Sequence, residues 1–343
     1  MNILIIGGGL IGQERLSALI KISKDYSMEF QITVVDKDEK LLEKIKENFN
    51  VNLGQNLAEY SDNIFDWVFI CTPHSAAAEL AIKSFKFSKN VLVEKPLGRN
   101  LKECQKIISA KPNDVNLHVG LNYRFYLGIN ALLNHARKNL FGEIISVNMI
   151  IGHGNSPGME KSWKLQPEHA GGGALIDPGV HLLDLAILIA DSKLNFKGGH
   201  SWKGFWNTGI EEEVHLILES DNNIIFNIQS SLNRWRSNFK IEVNGSKGYG
   251  IVEGRGRSYG NQTYKTGRRW AWQSGENQAD TETHHLINYP AEDSFYEDIV
   301  ALFNLSSWKI SDSEIYPCDH RSGEKVMKLL GIIRKELQIN DSC

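Results

Sequence analysis

The chain has 343 residues, too many for one compact core and a suitable length for two ordinary domains. Hydrophobic residues make up 41% and charged residues 23%, which excludes an intrinsically disordered chain. Lys plus Arg number 38 and Asp plus Glu 41, a net charge of −3, so there is no electrostatic footprint for nucleic acid or an anionic membrane.

The start, MNILIIGGG, lacks a basic region and its apolar run stops at Gly7. It reads as a strand of the mature fold and not as a leader. ILII (3–6) is that strand, and a helix follows over about 10–24. ITVVD (32–36) is a strand and 38–49 an amphipathic helix. DWVFIC (66–71) is a strand and 75–85 a helix. NVLVE (90–94) is a strand, followed by a helix over about 100–110, and NLHVGL (116–121) closes the series. Near-continuous Val/Ile/Leu runs separated by helices predict a parallel sheet covered on both faces.

After Leu121 the pattern changes. A helix over about 125–139 leads into EIISVNMII (143–151), where Ile145, Val147, Met149 and Ile151 alternate with polar or outward positions. EEVHLILES (212–220), NIIFNIQSSL (223–232) and NFKIEVNG (238–245) follow. In the last, Phe239, Ile241 and Val243 point one way and Lys240, Glu242 and Asn244 the other. This alternation, joined by turn clusters, predicts an antiparallel sheet with one covered face. The expected organisation is an α/β dinucleotide-binding domain over 1–122 and an α+β domain over 123–343. A final helix at about 319–337 is able to pack on either. No apolar run approaches the roughly 18 residues that span a bilayer. Cys71, Cys104, Cys318 and Cys343 stand far apart, with no zinc or disulfide pattern, as expected of a cytoplasmic protein.

The chemistry-bearing motifs begin at once. Gly7, Gly9 and Gly12 satisfy G-x-G-x-x-G, with Leu10 and Ile11 opening the helix. Glycine serves here for the tight turn, the approach of backbone to a pyrophosphate, and close helix–strand packing. The helix N-terminus offers free N–H groups and a positive dipole to phosphates. Asp36 ends the second strand, where its carboxylate suits ribose hydroxyls and repels a 2′-phosphate. NAD is therefore favoured over NADP, with Lys37 weighing the other way. The alternative for Asp36 is an N-cap for the helix at 38–49. Thr72-Pro73 follows strand 66–71 and is either a wall beside the cofactor or a turn before the next helix.

Glu94-Lys95-Pro96 follows strand NVLV. A lysine at the end of a parallel strand points into the ligand crevice, where its ammonium can stabilise developing alkoxide charge. A surface lysine is the alternative. In GGGALIDPGVHLLDL (171–185), Asp177-Pro178 reads as N-cap plus Pro at N1. His181 and Asp184 then share a helix face with Asp177 near its start. His181 is either a proton acceptor near neutrality or a satisfied core histidine.

Together these motifs resemble the glucose–fructose oxidoreductase / inositol dehydrogenase / MocA family. The matches are GGGLIG at 7–12, Asp36, Glu94-Lys95-Pro96, Asn122-Tyr123-Arg124, and the 171–185 segment with Asp177 and His181. They run through essentially the whole chain in order. The resemblance implies a Rossmann domain followed by an α+β domain whose open sheet forms a homodimer or homotetramer. It also implies a sugar, cyclic polyol or nucleotide sugar as substrate. Lys95 becomes a substrate-hydroxyl ligand, His181 the general acid/base, and Asp177 a substrate-binding group. Asn122 and Trp163 are placed near the nicotinamide. One departure concerns the cofactor wall: the family often shows T-P-x-x-x-H, whereas here Ala77 holds the His position and His74 appears early. The aromatic segment 259–272, with Tyr259, Tyr264, Trp270 and Trp272, is either a sugar-stacking surface or packing.

Overall fold

The structure is a computed structural model that describes residues 1–60, 62–270, 282–288, 294–306 and 313–339. The apolar runs of the first third pair as expected. Strands Asn2–Ile6 (β1), Gln31–Val35 (β2), Asn52–Gly54 (β3), Trp67–Ile70 (β4), Asn90–Val93 (β5) and Asn116–Val119 (β6) lie parallel in the order β6-β5-β4-β1-β2-β3. Helices Leu10–Asp25 (α1), Glu39–Asn48 (α2), His74–Ser84 (α3) and Leu101–Ala110 (α4) connect them. The strand order reverses between β1 and β4, which opens a crevice beyond their C-terminal ends.

Local chemistry sets the helix starts. Asp38 Oδ1 accepts the amides of Lys40 and Leu41 at 3.1 and 3.3 Å, so Asp38, not Asp36, is the α2 cap. Asn100 Oδ1 accepts the Glu103 amide at 2.9 Å and begins α4. α1 has Gly9 in the cap position and no side-chain cap, so its first amides stay open to the crevice.

The next helix, Leu127–Arg137 (α5), starts later than expected, because a 3-10 turn occupies Asn122–Phe125. Strand Ile144–Gly152 (β7), helix Pro167–Ala170 (α6) and helix Gly179–Ala190 (α7) follow. Strands Leu194–Trp202 (β8), Glu213–Ser220 (β9), Ile225–Ser231 (β10), Asn238–Gly245 (β11), Gly248–Glu253 (β12), Gln262–Arg268 (β13) and Thr283–Asn288 (β14) complete the second sheet with β7. Its order is β14-β13-β12-β11-β7-β10-β9-β8. It is antiparallel except for the parallel pair β7–β10, the mostly antiparallel open sheet expected of the second domain. Phe239, Ile241 and Val243 are buried on the face that carries α5 and α7, as are Val147, Met149 and Ile151. Ile145 departs from its expected side: at the strand's start it is exposed.

Two late segments return to the first sheet. Strand Cys318–Asp319 (β15) pairs antiparallel with β6, and helix Ser294–Leu302 (α8) packs on α1. The last helix, His320–Glu336 (α9), lies against α4 and β6 on one side and α7 and β8 on the other. It therefore joins the two layers instead of choosing one. Among the described residues, no helix is long and apolar enough to cross a membrane.

Candidate active site

The glycine loop sits at the reversal point. Gly7 has φ +98°, and a Cβ there would lie 2.6 Å from the Cys71 carbonyl oxygen. A Cβ on Gly12 would meet the Gly7 carbonyl oxygen at 2.0 Å. Only glycine fits either place, and the β1 and β4 ends can then close on one another. At Gly9 a Cβ would meet nothing within 4 Å, because the loop faces open space. Leu10 is exposed and Ile11 half-buried at the uncapped start of α1.

Asp36 completes this cradle. Its Oδ2 accepts the Gly8 amide at 2.7 Å and its Oδ1 the Asp38 amide at 3.0 Å, while Lys37 is exposed. Across the loop Thr72 Oγ1 is buried with no hydrogen-bond partner. Pro73 precedes α3 in the cap position, and His74 is its first residue. Open helix amides, a carboxylate at the second strand end and an orphaned hydroxyl fit a dinucleotide: phosphates at the amides, ribose hydroxyls at Asp36.

The second cluster lies beyond β5. Lys95 Nζ donates to Asp177 Oδ1 at 2.5 Å, and Lys164 Nζ lies 3.5 Å from Asp177 Oδ2. Burial favours the neutral acid at Asp177, but Lys95 and then Lys164 outweigh it and hold the carboxyl well below its usual range. Asp177 is therefore an anion, and it is not the α7 cap: the helix starts at Gly179 and Pro178 occupies the cap position. The carboxylate turns to the lysines instead.

His181 is buried on α7. Its ring stacks on Tyr123 with centroids 3.7 Å apart and an interplanar angle of 10°. Three residues on, Asp184 receives the guanidinium of Arg124, from Nε at 2.8 Å and from Nη2. Two neighbouring residues of the Asn122–Phe125 turn thus fix two residues of one helix face. Burial drives the His181 imidazole well below its usual range, and Lys95 pushes the same way against Asp177. The ring is neutral at pH 7 and able to accept a proton.

Beneath Lys95, Glu94 Oε1 accepts Arg15 Nε at 2.8 Å, and Arg15 Nη1 reaches Asp298 Oδ2 at 2.5 Å. Glu94 is thereby tied through Arg15 to α1 and α8. Asn122 follows β6, and its Nδ2 donates to Ser294 Oγ at 2.8 Å in a buried contact. His74 and Trp163 do meet, edge to face at 5.0 Å, and His74 Nδ1 is 2.7 Å from the Ala170 carbonyl. The aromatic segment divides. Tyr259 stacks under Arg255 at 4.0 Å, and Arg255 also lies 5.2 Å from the Tyr123 ring centre. Tyr264 is core, 2.6 Å from His135 Nδ1; Trp270 is exposed. Trp272 falls outside the described residues. Sequence reasoning missed Lys164, Arg15 and the Tyr123 stack. Lys164's only signal is its place beside Trp163.

A family model described as "Oxidoreductase family, NAD-binding Rossmann fold" matches residues 1–121, and one for the GFO/IDH/MocA C-terminal domain matches 131–250. The chain belongs to the GFO/IDH/MocA family. As a member it is an oxidoreductase that binds NAD through the first domain. Levoglucosan dehydrogenase of Pseudarthrobacter phenanthrenivorans is 22% identical over 292 residues, 72% of this chain and 72% of that protein. The 2,7-anhydro-N-acetylneuraminate hydratase of Escherichia coli is 26% identical over 206 residues, 58% of this chain and 54% of its own. A solved levoglucosan dehydrogenase, in complex with NADH and levoglucosan, has the same fold: TM-score 0.79 at 18% identity, covering 98% of this chain and 97% of that one.

Proposed function

We propose that this GFO/IDH/MocA member moves a hydride between NAD and a secondary hydroxyl of a sugar, cyclic polyol or nucleotide sugar. The observation that carries the reading is one junction: Lys95 on the Asp177 carboxylate, with neutral, buried His181 in the field of both. When bound, NAD supplies the hydride acceptor. His181 takes the substrate hydroxyl proton, and Lys95 hydrogen-bonds the oxygen as its charge grows. Asp177 holds Lys95 in place and accepts a neighbouring hydroxyl of the substrate. In the reverse direction His181 returns the proton to the new alcohol.

Trp163 and His74 wall the crevice, and Thr72 Oγ1 and Asn122 complete the cofactor's surroundings. Residues 1–122 form the cofactor unit and 123–343 the substrate unit, with β15 and α9 returning to the first. The protein acts in the cytoplasm, in keeping with free Cys71, Cys104 and Cys318. It assembles as a homodimer or homotetramer through the outer face of the second sheet, where Ile217 and Ile225 are exposed.

The hydratase relative favours a second reading, in which NAD is reduced and reoxidised within one turnover. A panel of polyols, sugars and nucleotide sugars, followed for product and for NADH together, separates the two. The dehydrogenase reading expects one NADH per product. Product without accumulating NADH would establish the second.

A further inference from the structure

Two ammonium groups close on one carboxylate in the crevice. Lys95 Nζ lies 2.5 Å from Asp177 Oδ1, and Lys164 Nζ lies 3.5 Å from Asp177 Oδ2. The proposed proton and hydride transfer uses only Lys95. Lys164 comes from a separate segment, the short turn Trp163–Leu165. Ser162 Oγ accepts the Lys164 amide at 3.4 Å, and the preceding Trp163 ring is pinned against His74. The base of the side chain is thus held, while the side chain as a whole is 42% exposed. A bound molecule can reach its ammonium.

The histidines around the lysines add no further cation. His74, His153 and His181 are each driven toward the neutral form, by burial first and by Lys95 in every case; Lys164 acts in the same direction on His74 and His153. Among the described residues, two lysine ammoniums therefore face one carboxylate at a site where a sugar would exclude water, and Arg255 adds positive field at His153 and His181. An uncompensated charge in such a place is costly, and an anionic group on the ligand would offset it. The two ammoniums sit on the two oxygens of a single carboxylate, so both can touch one sugar-sized molecule.

We infer that the substrate carries an anionic group, a carboxylate or a phosphate, on the sugar that bears the reacting hydroxyl, and that Lys164 selects it. The expected class is a sugar acid or sugar phosphate in place of a neutral polyol. The inference rests on the dehydrogenase reading for which hydroxyl reacts, but its test does not need turnover.

The test is calorimetric binding of glucose, glucuronate and glucose 6-phosphate, with the matching galactose and inositol compounds, to the NADH-loaded protein. Wild type, Lys164→Gln and Lys164→Arg are compared. In the wild type at least one anion binds on the order of tenfold tighter than its neutral parent, the scale of one charge-assisted hydrogen bond. Preference for the acid or for the phosphate identifies which anion the site takes. Lys164→Gln brings that ratio near unity, and Lys164→Arg keeps most of it. A merely structural lysine predicts something else: all ligands weaken together and the ratio stays. That result, or wild-type binding with no anion tighter than its parent, or loss of NADH affinity in place of sugar discrimination, overturns the inference. When the carbohydrate panel is assayed separately with NAD, anion preference in binding without NADH formation would leave the inference standing and remove the dehydrogenase reading. NADH formation without anion preference would do the reverse.

Discussion

Lys95 Nζ and Asp177 Oδ1 stand 2.5 Å apart, joining the end of β5 to the segment before α7 across 82 residues of sequence. The ammonium keeps the carboxylate ionised, and the carboxylate holds the ammonium over the crevice. Lys95→Met keeps most of the stem and removes the charge. The kcat should fall roughly 10²–10³-fold, by analogy with a deleted oxyanion donor. NAD affinity should change little, because the glycine loop and Asp36 lie elsewhere. Lys95→Arg should rescue poorly, since a planar fork does not replace a compact charge. A parallel loss of melting temperature, NAD affinity and activity would make Lys95 a structural residue.

Arg15 tests the support below it. Its side chain is 0% exposed and bridges Glu94 and Asp298, whose side chains are 11% and 2% exposed. Arg15→Met leaves two carboxylates facing each other without their cation. Such a loss costs about 3–5 kcal/mol in buried pairs. Urea unfolding of the variant checks this, and a change below about 1 kcal/mol, the usual worth of an exposed pair, would mean water reaches the cluster.

Asp36 sets cofactor choice. Because its carboxylate accepts the amides of Gly8 and Asp38, it is fixed beside the glycine loop. A 2′-phosphate brought there meets a fixed like charge, so NAD should bind more tightly than NADP. Asp36→Ser should narrow the difference, leaving exposed Lys37 to attract the phosphate. Fluorescence titration with both cofactors decides. Tighter NADP binding by the wild type would show that Lys37 dominates.

Acid should weaken the fold through its buried histidines. Burial, aided by Lys95, pushes His74 down to about 4. Between that value and its ordinary 6.5, the unfolded chain binds the proton and the folded one does not. Stability from this group is therefore complete above pH 6.5 and declines as pH falls toward 4. His153 and His181 act in the same direction. The melting temperature should drop from pH 7 to pH 5, and His74→Asn should drop less. Equal slopes for the two proteins would place His74 in contact with water.

Strands β1, β4 and β5 were legible because burial on both faces writes continuous apolar runs into them. The glycine loop was legible because its geometry admits no other residue at Gly7 and Gly12. β3 was not: its three residues carry no periodicity. β8 was hidden by two glycines and a mostly exposed face. Asp177 misled as a cap because local spacing cannot reveal that its carboxylate is satisfied by Lys95, far back in the chain. Lys164 reaches the same carboxylate through the fold of an irregular segment, and irregular segments have no readable period. Asn122 follows the last parallel strand as expected, yet its amide is satisfied by Ser294, a partner supplied from 172 residues away.

His181 carries the central claim. Its ring is neutral, stacked on Tyr123, and set in the field of Lys95 and Asp177. The decisive measurement is kcat for His181→Ala beside the wild type on a substrate from the carbohydrate panel, with NAD affinity measured on the same samples. A positioned acid/base predicts a loss of roughly 10²–10⁴-fold with NAD binding near normal. Turnover within a few-fold of the wild type would contradict the account and make His181 a core residue.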